Sequence, residues 1–356
     1  MRIAFDVSPL SHPATGIGNY LRGSLAGLVE ASAGEHEIVA FAPSSIRGPD
    51  LIREAIAGID VELETWRLPF SHAIRTAWSE LGHPAAERFL GSFDVLHFSD
   101  WMYPPQRDGV RATTIHDLVP VHHPDWVTAR TRAMHGRKYR NAARTCDIVF
   151  VNSDFTGRDV AETLGVPPSR IRVAHPGVGG VFRPDGDVAD LGSPYILTVA
   201  APEPRKNLAV LVGAHARLDG LLLAIAGAEW EIDAAGLDAP GILRLGYVPE
   251  EDLASLYRGA TVVAYPSRFE GFGMPIVEAM ACGTPVVASS HPSLDEASGD
   301  VALRADPDGP AEFAEAISRA ITDRERLAAA GVEHARRFTW RSVGETFLRG
   351  YREAAR

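Results

Sequence analysis

Two glutamates in a glycine-rich string carry the clearest chemical signal in this sequence. Glu270 and Glu278 are separated by seven residues within Arg268-Phe-Glu-Gly-Phe-Gly-Met-Pro-Ile-Val-Glu278. The glycines allow a backbone to approach a ligand closely, and Pro275 suits a helix start, where its missing N–H costs nothing. The free amides and the dipole at such a helix start favour a phosphate. We therefore predict one pocket in which both carboxylates accept hydrogen bonds from sugar and ribose hydroxyls.

The string assigns different positions to the two acids. We expect Glu270 on the loop before the helix and Glu278 in the first turn of the helix. Taken singly, Glu270 would be read as a surface charge and Glu278 as a partner of the helix dipole. The complete string favours a binding site instead. We expect the backbone at the helix start to face the ligand, at Gly271, Phe272, Gly273 and Met274.

A basic pair opens a second candidate site, in Glu203-Pro-Arg-Lys-Asn-Leu208. The pair follows a strand signal at Tyr195–Val199 and precedes a helix signal. Arg205 offers a planar fork of donors and Lys206 a compact charge, and both suit a diphosphate. The alternative is a solvated basic pair before a helix.

A histidine ends a strand in the first half of the chain, in Thr113-Thr-Ile-His-Asp117. Ligands of open α/β sheets bind at the carboxyl ends of the strands. We therefore expect His116 to hydrogen-bond a sugar hydroxyl or to stabilise developing positive charge, and Asp117 to orient a second substrate or its own loop. The alternative is a histidine with a structural role.

A glycine-containing loop lies between the first strand and the first helix, in Ala14-Thr-Gly-Ile-Gly-Asn-Tyr20. Gly16 and Gly18 suit a turn that approaches a ligand. The loop differs from the dinucleotide-binding fingerprint, which requires glycine where this chain has Leu21. It also differs from the Walker loop, because no Gly-Lys-Ser/Thr follows.

Near-continuous apolar strands alternate with helices through both halves of the chain, which is typical of parallel sheets covered on both faces. A turn-rich stretch around residues 175–194 interrupts the alternation and suggests a domain boundary. We predict a first Rossmann-like domain over 1–178, a linker over 179–194, a second Rossmann-like domain over 195–338, and a terminal helix over 339–356 that packs back toward the first domain. The strands are expected at Arg2–Val7, Glu37–Ala42, Val61–Trp66, Asp94–Phe98, Ala112–Ile115, Asp147–Val151, Tyr195–Val199, Leu221–Ala226, Ile242–Leu245, Thr261–Tyr265 and Pro285–Ala288, and the main helices at Asn19–Glu30, Asn207–Leu218, Glu250–Tyr257, Pro275–Ala281 and Trp340–Ala354.

Composition limits the function classes. The formal net charge of −11 argues against a nucleic-acid binder. The two cysteines, Cys146 and Cys282, are too few for a disulfide framework and lack zinc spacing. We see no leader before the first strand and no run of about 20 apolar residues. We expect a cytoplasmic protein, for which peripheral contact with the inner face of a membrane stays open.

The glutamate string, the basic pair, the histidine turn and the glycine loop together resemble the retaining glycosyltransferases of family four, the glycosyl transferases group 1. The resemblance covers nearly the whole chain. It implies the GT-B fold, in which two Rossmann-like α/β domains face each other across a cleft. It implies that Glu270 contacts the transferred sugar, Glu278 the nucleotide ribose, and Arg205 with Lys206 the diphosphate leaving group.

The resemblance also gives the first domain a role. The loop at Gly16 and Gly18 would close on the diphosphate, His116 would lie near the donor sugar, and Tyr20 and Asp117 would lie on the acceptor side. Many members carry a further arginine just before the basic pair, where this chain has Ala200 and Ala201. Any additional phosphate contact must therefore come from another residue.

The expected reaction is the retaining transfer of a hexose from a nucleoside diphosphate sugar to a hydroxyl of a saccharide or lipid-linked acceptor. The motifs resemble those of bacterial polysaccharide mannosyl- and rhamnosyltransferases, so GDP-mannose is favoured as donor, and UDP-glucose and UDP-N-acetylglucosamine remain alternatives. We expect no cofactor and no metal, because Asp185-Gly-Asp187 and Asp306-Pro-Asp308 read as solvated turns. The alternatives are a sugar-nucleotide 2-epimerase of the same fold and a non-catalytic paralogue that binds nucleotide sugar within a complex.

Overall fold

The computed structural model describes residues 1–12, 16–44, 48–67, 78, 82–99, 103–201, 203–227 and 237–356. Its contacts divide the chain into two compact units. Unit 1 contains Met1–Gly177 and Thr339–Arg356, and unit 2 contains Val178–Phe338. Ala14 and Thr15, part of the predicted glycine loop, lie outside the described residues.

Unit 1 is a parallel sheet of seven strands within the described residues, in the order β3-β2-β1-β4-β5-β6-β7. The central strands β1, β4, β5 and β6 are buried almost throughout, which fits a sheet covered on both faces. The order reverses between β1 and β4, the point where open α/β sheets bind ligands. The described elements are β1 Arg2–Asp6, α1 Gly16–Ser32, β2 Glu37–Ser44, α2 Gly48–Ala55, β3 Glu62–Arg67, α3 Glu87–Leu90, β4 Val95–Phe98, β5 Val110–Ile115, α4 Val119–His122, α5 Ala129–Thr145, β6 Ile148–Val151, α6 Asp154–Leu164 and β7 Ile171–Val173.

Unit 2 repeats the arrangement, with six described strands in the order β10-β9-β8-β11-β12-β13, all parallel. Its order reverses between β8 and β11. The elements are β8 Tyr195–Val199, α7 Leu208–His215, β9 Leu222–Ala226, β10 Ile242–Gly246, α8 Glu250–Gly259, β11 Val262–Tyr265, α9 Met274–Ala281, β12 Val286–Ser289, α10 Asp295–Ser298, β13 Leu303–Ala305, α11 Pro310–Thr322 and α12 Arg324–Ala335; the helix that follows, α13 Trp340–Ala354, belongs to unit 1.

Helix α13 packs against the sheet and the first helix of unit 1. Its amphipathic sequence buries Phe347 against Phe150 of β6, with ring centroids 4.5 Å apart. The Tyr351 hydroxyl lies 2.6 Å from Nδ1 of His97, a buried residue of β4. Burial lowers the pKa of His97 to about 3. The ring is therefore neutral and serves as a hydrogen-bonding group of the core.

The stretch predicted as a linker, 179–194, packs as part of unit 2. Phe182 is buried and lies edge-on to Tyr257, with ring centroids 5.8 Å apart. The amide of Ala189 donates to the Ser255 carbonyl at 3.1 Å, and Nε of Arg258 donates to the Asp187 carbonyl at 2.6 Å. The sequence did not predict this packing, because the stretch has no hydrophobic periodicity and Phe182 is its one buried aromatic residue.

Most predicted elements occur within a few residues of their predicted bounds. Helix α1 begins at Gly16 rather than near Asn19. Ile17 packs against the same core cluster as the buried Tyr20 and Leu21, so the apolar face of the helix starts earlier than predicted. The short edge strands β7 and β13 were not predicted, since three residues carry too little pattern. Among the described residues, no helix combines the length and apolar character needed to cross a membrane.

The contact between α1 and α13 gives a stability prediction. A Cβ on Gly27 would clash with the backbone carbonyl of Trp340, which has no freedom to move aside. Gly27→Ala should therefore lower the free energy of unfolding by about 1–3 kcal/mol, as overpacking does. The matched control is Gly136→Ala in α5, where the nearest atom is the flexible end of Arg140. The free energy of unfolding of Gly136→Ala should rise by up to about 1 kcal/mol, because alanine has the higher helix propensity. Urea unfolding measures both, and a Gly27→Ala protein as stable as the wild type would contradict the packing.

Candidate active site

The topology of unit 2 brings the basic pair and the first glutamate together. Arg205 and Lys206 follow β8, and Glu270 follows β11, the neighbouring strand across the point where strand order reverses. Arg205 Nη1 lies 2.6 Å from Glu270 Oε2, and Lys206 Nζ lies 2.6 Å from Glu270 Oε1. One carboxylate therefore pairs with two cations at the carboxyl end of the sheet.

Burial makes this cluster electrostatically strong. Glu270 is 7% exposed and Lys206 is 9% exposed, so water screens their charges little. Burial alone would raise the pKa of Glu270, but the attraction of Arg205 and Lys206 outweighs it and lowers the pKa to about 2. Burial and the repulsion of Arg205 lower the pKa of Lys206, and Glu270 opposes that shift. Glu270 is consequently ionised at every physiological pH.

Backbone contacts fix the two loops that carry the cluster. The Arg268 amide donates to the Arg205 carbonyl at 2.8 Å and joins the loops directly. Asn207 takes a left-handed conformation, with φ of 53°, and its side-chain amide donates to the carbonyls of Pro266 and Pro307. The Glu270 amide donates to Ser293 Oγ at 3.0 Å. These bonds set the geometry of the cluster before any ligand binds.

Three residues of this cluster were missed from the sequence. Lys206 Nζ donates to Tyr265 Oη at 2.8 Å, Glu203 pairs with Arg205 Nε at 2.7 Å, and Ser293 holds the Glu270 backbone. Tyr265 ends β11, so its position at a strand end was a usable signal. Ser293 follows β12, in a segment without a motif of its own, and nothing in the sequence pointed to it.

Glu278 lies apart from the cations. Helix α9 begins at Met274, so Glu278 lies in the second turn and not in the first turn as predicted; Met274 and Pro275 both belong to the helix. The Tyr257 hydroxyl donates to Glu278 Oε2 at 3.1 Å. Burial raises the pKa of Glu278 to about 7, and the tyrosine hydrogen bond only partly offsets it. The two glutamates of the string therefore have opposite electrostatic character.

The segment between the two glutamates, at the start of α9, combines a glycine with a left-handed backbone and a buried phenylalanine ring. Gly273 has a φ of 104°, and a Cβ there would lie 2.9 Å from Leu294, so glycine is required for both conformation and space. The ring of Phe272 is 2% exposed and packs edge-on against Phe338. Phe272 is thus a core residue, and only its backbone is available to a ligand. Gly271 and Met274 flank it at the start of α9.

In unit 1, His116 follows β5 and is half-buried. The Asn152 amide nitrogen lies 3.1 Å from His116 Nδ1, and the Tyr20 ring stands edge-on to the imidazole with centroids 4.7 Å apart. An amide donor at Nδ1 leaves the ring proton on Nε2. Asp117 has a structural contact, because its Oδ1 accepts from the Val119 amide at 2.9 Å. Gly16 and Gly18 lie in the first turn of α1.

A buried carboxylate that was not predicted joins two strand ends of unit 1. Asp6 ends β1 and accepts hydrogen bonds from the amides of Ser8 and Ser99 at 2.8 and 3.0 Å, and from both hydroxyls. Ser99 follows β4, so Asp6 fixes the two loops that flank the reversal of strand order. An acid at the end of an otherwise apolar strand was the signal in the sequence.

The two Asp-x-Asp strings have structural contacts. Asp308 pairs with Arg268 at 2.5 Å, and Asp306 Oδ1 accepts from the Asp308 amide at 2.8 Å. Asp185 lies 3.4 Å from Arg183 and is exposed, and Asp187 accepts through its backbone.

Two family models match the chain. Residues 15–179 match the model described as Glycosyltransferase Family 4, and residues 185–338 match Glycosyl transferases group 1. The chain is 30% identical over 402 residues to the D-inositol 3-phosphate glycosyltransferase of Mycobacterium tuberculosis, covering 99% of this chain and 82% of the relative. It is 27% identical to the O-antigen chain mannosyltransferase B of Escherichia coli, covering 99% and 100%.

Solved structures share the fold. Sucrose-phosphate synthase from Thermosynechococcus elongatus aligns with a TM-score of 0.73 at 21% identity, over 99% of this chain and 98% of that one. HepE of Anabaena, solved in complex with UDP-glucose, aligns with a TM-score of 0.66 at 16% identity, over 98% of each chain.

The contrast between the two glutamates gives a pH prediction. The folded pKa of Glu278, about 7, lies above its ordinary value of 4.5. The folded state therefore holds the proton more tightly, and stability is lost as the pH rises through 7. Glutamine does not ionise, so the free energy of unfolding of Glu278→Gln should not show this loss. Its advantage over the wild type should grow by up to about 3 kcal/mol between pH 5 and pH 8. Urea unfolding over this range measures the difference.

Glu270→Gln is the matched control, with the opposite sign. Its folded pKa of about 2 lies below the ordinary 4.5, so its charge stabilises the fold above pH 4.5 and that contribution is lost only as the pH falls toward 2. The free energy of unfolding of this variant should fall by about 3–5 kcal/mol throughout pH 5–8, because the buried Lys206 loses its carboxylate, whereas the half-buried Arg205 keeps Glu203. An unchanged pH slope in Glu278→Gln would show that Glu278 does not titrate near neutrality.

Proposed function

Because the chain belongs to glycosyltransferase family 4 and has the GT-B fold of two parallel-sheet α/β domains, we propose that it transfers a hexose from a nucleoside diphosphate sugar with retention of configuration. The observation that carries the proposal is the buried cluster of Arg205, Lys206 and Glu270 at the strand ends of unit 2. Arg205 and Lys206 direct charged N–H donors at the same carboxylate, and a diphosphate can take over these contacts.

In the proposed mechanism, the diphosphate competes with Glu270 for the same two cations. Oxygens of the diphosphate accept hydrogen bonds from Arg205 and Lys206, and the Glu270 carboxylate, displaced in part, accepts from a hydroxyl of the sugar. Negative charge on the diphosphate grows as its bond to the sugar breaks, so the cations stabilise the transition state more than the ground state. Glu278 accepts from the ribose hydroxyls, and the backbone from Gly271 to Met274 lines the donor site.

Retention follows if the acceptor attacks the face that the diphosphate leaves. The bond from the anomeric carbon to the phosphate oxygen breaks, the bond to the acceptor oxygen forms, and the acceptor proton passes to a diphosphate oxygen. His116 contacts the donor sugar through Nε2 in this proposal, while Gly16 and Gly18 serve the diphosphate and Tyr20 and Asp117 the acceptor side. Catalysis then rests on positioning and charge stabilisation, without an enzymic nucleophile.

The relatives support a choice of donor and acceptor. The Escherichia coli relative is named for mannose transfer in O-antigen chains, which favours GDP-mannose as donor and a saccharide or lipid-linked saccharide as acceptor. The Anabaena neighbour was solved with UDP-glucose, so UDP-sugars are the alternative. Transfer in the cytoplasm, with peripheral contact at a membrane, fits a lipid-linked acceptor.

The function can be tested by donor turnover. GDP-mannose, UDP-glucose and UDP-N-acetylglucosamine are supplied in turn, and release of the nucleoside diphosphate is measured. We expect release from GDP-mannose and a thermal shift with GDP. A protein that binds a nucleoside diphosphate and releases none from any donor would be a binding protein, which would overturn the proposal.

Two variants test the competition between Glu270 and the diphosphate. Glu270→Gln should bind the free nucleoside diphosphate about tenfold more tightly, because Lys206 and Nη1 of Arg205 lose the carboxylate that occupies them. Its turnover should fall roughly 100-fold or more. Lys206→Ala should lower kcat by a larger factor than it raises KM, because the contact of Lys206 with the diphosphate strengthens in the transition state. Calorimetry and steady-state kinetics measure both. A Glu270→Gln protein with unchanged affinity and normal turnover would contradict the mechanism.

We also propose that turnover needs no divalent metal, because Arg205 and Lys206 can neutralise the diphosphate. Activity should persist in excess chelator, with kcat within about twofold of its untreated value. The assay compares turnover with chelator alone, with magnesium and with manganese. Loss of activity in chelator and its recovery with either metal would overturn this expectation and direct attention to Asp306 and Asp308.

A further inference from the structure

A cavity of about 430 Å³ opens at the amino-terminal edge of the unit 1 sheet. It lies where the loop that leads into β5 meets the end of α5, and its lining includes Gln106, Gly109, Asn141 and Thr145. His116 follows β5 at the opposite, carboxyl edge, and none of the candidate catalytic residues is among the described lining residues. The volume falls within the range of small-molecule sites, roughly 300–1,000 Å³. Unit 1 therefore has a second place that is large enough for a ligand.

The wall of this cavity contains a buried guanidinium, that of Arg111, which is 8% exposed. Its Nη1 donates to the Pro104 carbonyl at 2.6 Å and its Nε donates to Thr145 Oγ1 at 3.0 Å, while Nη2 lies 3.3 Å from Asn141 Oδ1. These acceptors are neutral, and the nearby Cys146 thiol is neutral as well, because burial raises its pKa to about 12. Among the described residues, no carboxylate forms an ion pair with this guanidinium.

A buried cation without an anionic partner is costly. Burial lowers the pKa of Arg111, yet a guanidinium stays protonated in proteins. The neighbouring acid, Asp147, is exposed and uses its Oδ2 to accept from the backbone amide of Arg111 at 2.8 Å. Buried charges in proteins are normally paired. An anion bound in the cavity supplies the partner that the chain itself does not.

Two further polar atoms of the lining residues are buried without a hydrogen-bond partner in the part of the chain that the structure describes. They are Nε1 of Trp78, a donor, and Oε1 of Gln106, an acceptor. The orientation of the Gln106 amide is fixed, because its Nε2 donates to the carbonyls of Asp108 and Gly109 at 3.2 and 3.0 Å. Since nearly all buried polar atoms of folded proteins are paired, these two indicate a ligand with polar groups of its own.

The lining also limits the charge and shape of the ligand. A planar carboxylate matches the fork of N–H donors that a guanidinium presents. The carboxylate of Asp147 lines the same cavity and repels a ligand of higher negative charge, such as a phosphate dianion. The carbonyl oxygen of Gln106 needs a donor, which a hydroxyl group provides. A monoanion that carries hydroxyl groups meets all three conditions.

We propose that this cavity binds a small hydroxylated carboxylate, of the size of a sugar acid, whose carboxylate pairs with Arg111. A ligand hydroxyl donates to Gln106 Oε1, and Trp78 Nε1 donates to another ligand oxygen. The inference does not rest on the proposed function, because the cavity shares no residue with the cluster of Arg205, Lys206 and Glu270.

Calorimetry on the full chain tests the proposal with three probes. D-Glucuronate carries a carboxylate and hydroxyls, D-glucose has the same ring without the carboxylate, and inorganic phosphate is an anion of different shape and charge. The wild type should bind glucuronate at one site, and it should bind glucose and phosphate about tenfold more weakly or worse, because the charge-assisted contact is absent or mismatched. Saturation with GDP should leave the affinity for glucuronate unchanged.

Four results with the wild type would overturn the proposal. They are the absence of saturable glucuronate binding, equal affinity for glucose, displacement of glucuronate by GDP, and tighter binding of phosphate than of glucuronate. The last result would assign Arg111 to a phosphate ligand.

Asn141→Asp tests the role of Arg111 without removing it. The substitution is isosteric and puts a carboxylate oxygen where Asn141 Oδ1 lies 3.3 Å from Nη2 of Arg111. The guanidinium then has an internal partner, so the variant should bind glucuronate about tenfold more weakly or worse, with a Tm no lower than that of the wild type. Arg144→Gln is the matched control, because it changes the net charge equally at an exposed position of α5 outside the cavity lining. It should bind glucuronate like the wild type, and wild-type affinity in Asn141→Asp or equal loss in both variants would contradict the site.

Asp147→Asn should change the affinity in the opposite direction. Its side-chain oxygen can still accept from the Arg111 amide, while a negative charge leaves the cavity lining. This variant should bind glucuronate about threefold more tightly than the wild type. An affinity equal to or below that of the wild type would show that the ligand carboxylate does not lie in this cavity.

Discussion

The pairing of one carboxylate with two cations at the carboxyl end of the unit 2 sheet is the interaction on which the site depends. Arg205 and Lys206 bring two positive charges together; Glu270 pairs with both of them, and Glu203 pairs with Arg205 alone. Burial of like charges is costly, and the lowered pKa of Lys206 records that cost. In the proposed mechanism an incoming diphosphate offsets this cost, because it adds negative charge beside both cations.

The rest of unit 2 maintains this cluster in place. Strand order puts β8 beside β11, and the hydrogen bond from Arg268 to the Arg205 carbonyl holds the two loops together. Ser293 and Asn207 fix the backbone at either end. Groups held in this way need little reorganisation when charge develops, which is the main source of electrostatic catalysis.

The sequence predicted the parts of the site that depend on strand ends. Parallel strands align their carboxyl ends, so the alternation of strands and helices puts Arg205, Lys206 and Glu270 at the same edge of the sheet. Their direct pairing also needs β8 beside β11, and the sequence did not predict that strand order. The partners Tyr257 and Ser293 could not, because each reaches the site from another segment through packing that leaves no local pattern. The same holds for 179–194, where the burial of Phe182 decides the structure of a stretch that otherwise reads as a linker.

The spacing of the two glutamates has an electrostatic consequence. Seven intervening residues carry the chain from a loop beside two cations to the second turn of a buried helix, where the nearest polar partner is a tyrosine hydroxyl. Burial favours the neutral form of both acids; only the cations reverse this for Glu270, whose pKa falls to about 2 while that of Glu278 rises to about 7. The proposed competition with a diphosphate requires a permanent charge, and the lowered pKa gives Glu270 one. The ribose contact proposed for Glu278 does not require a fixed charge, because a carboxyl group accepts hydrogen bonds when ionised and both accepts and donates when protonated. The helix start between them therefore separates a charge-balancing acid from a hydrogen-bonding one within a single string.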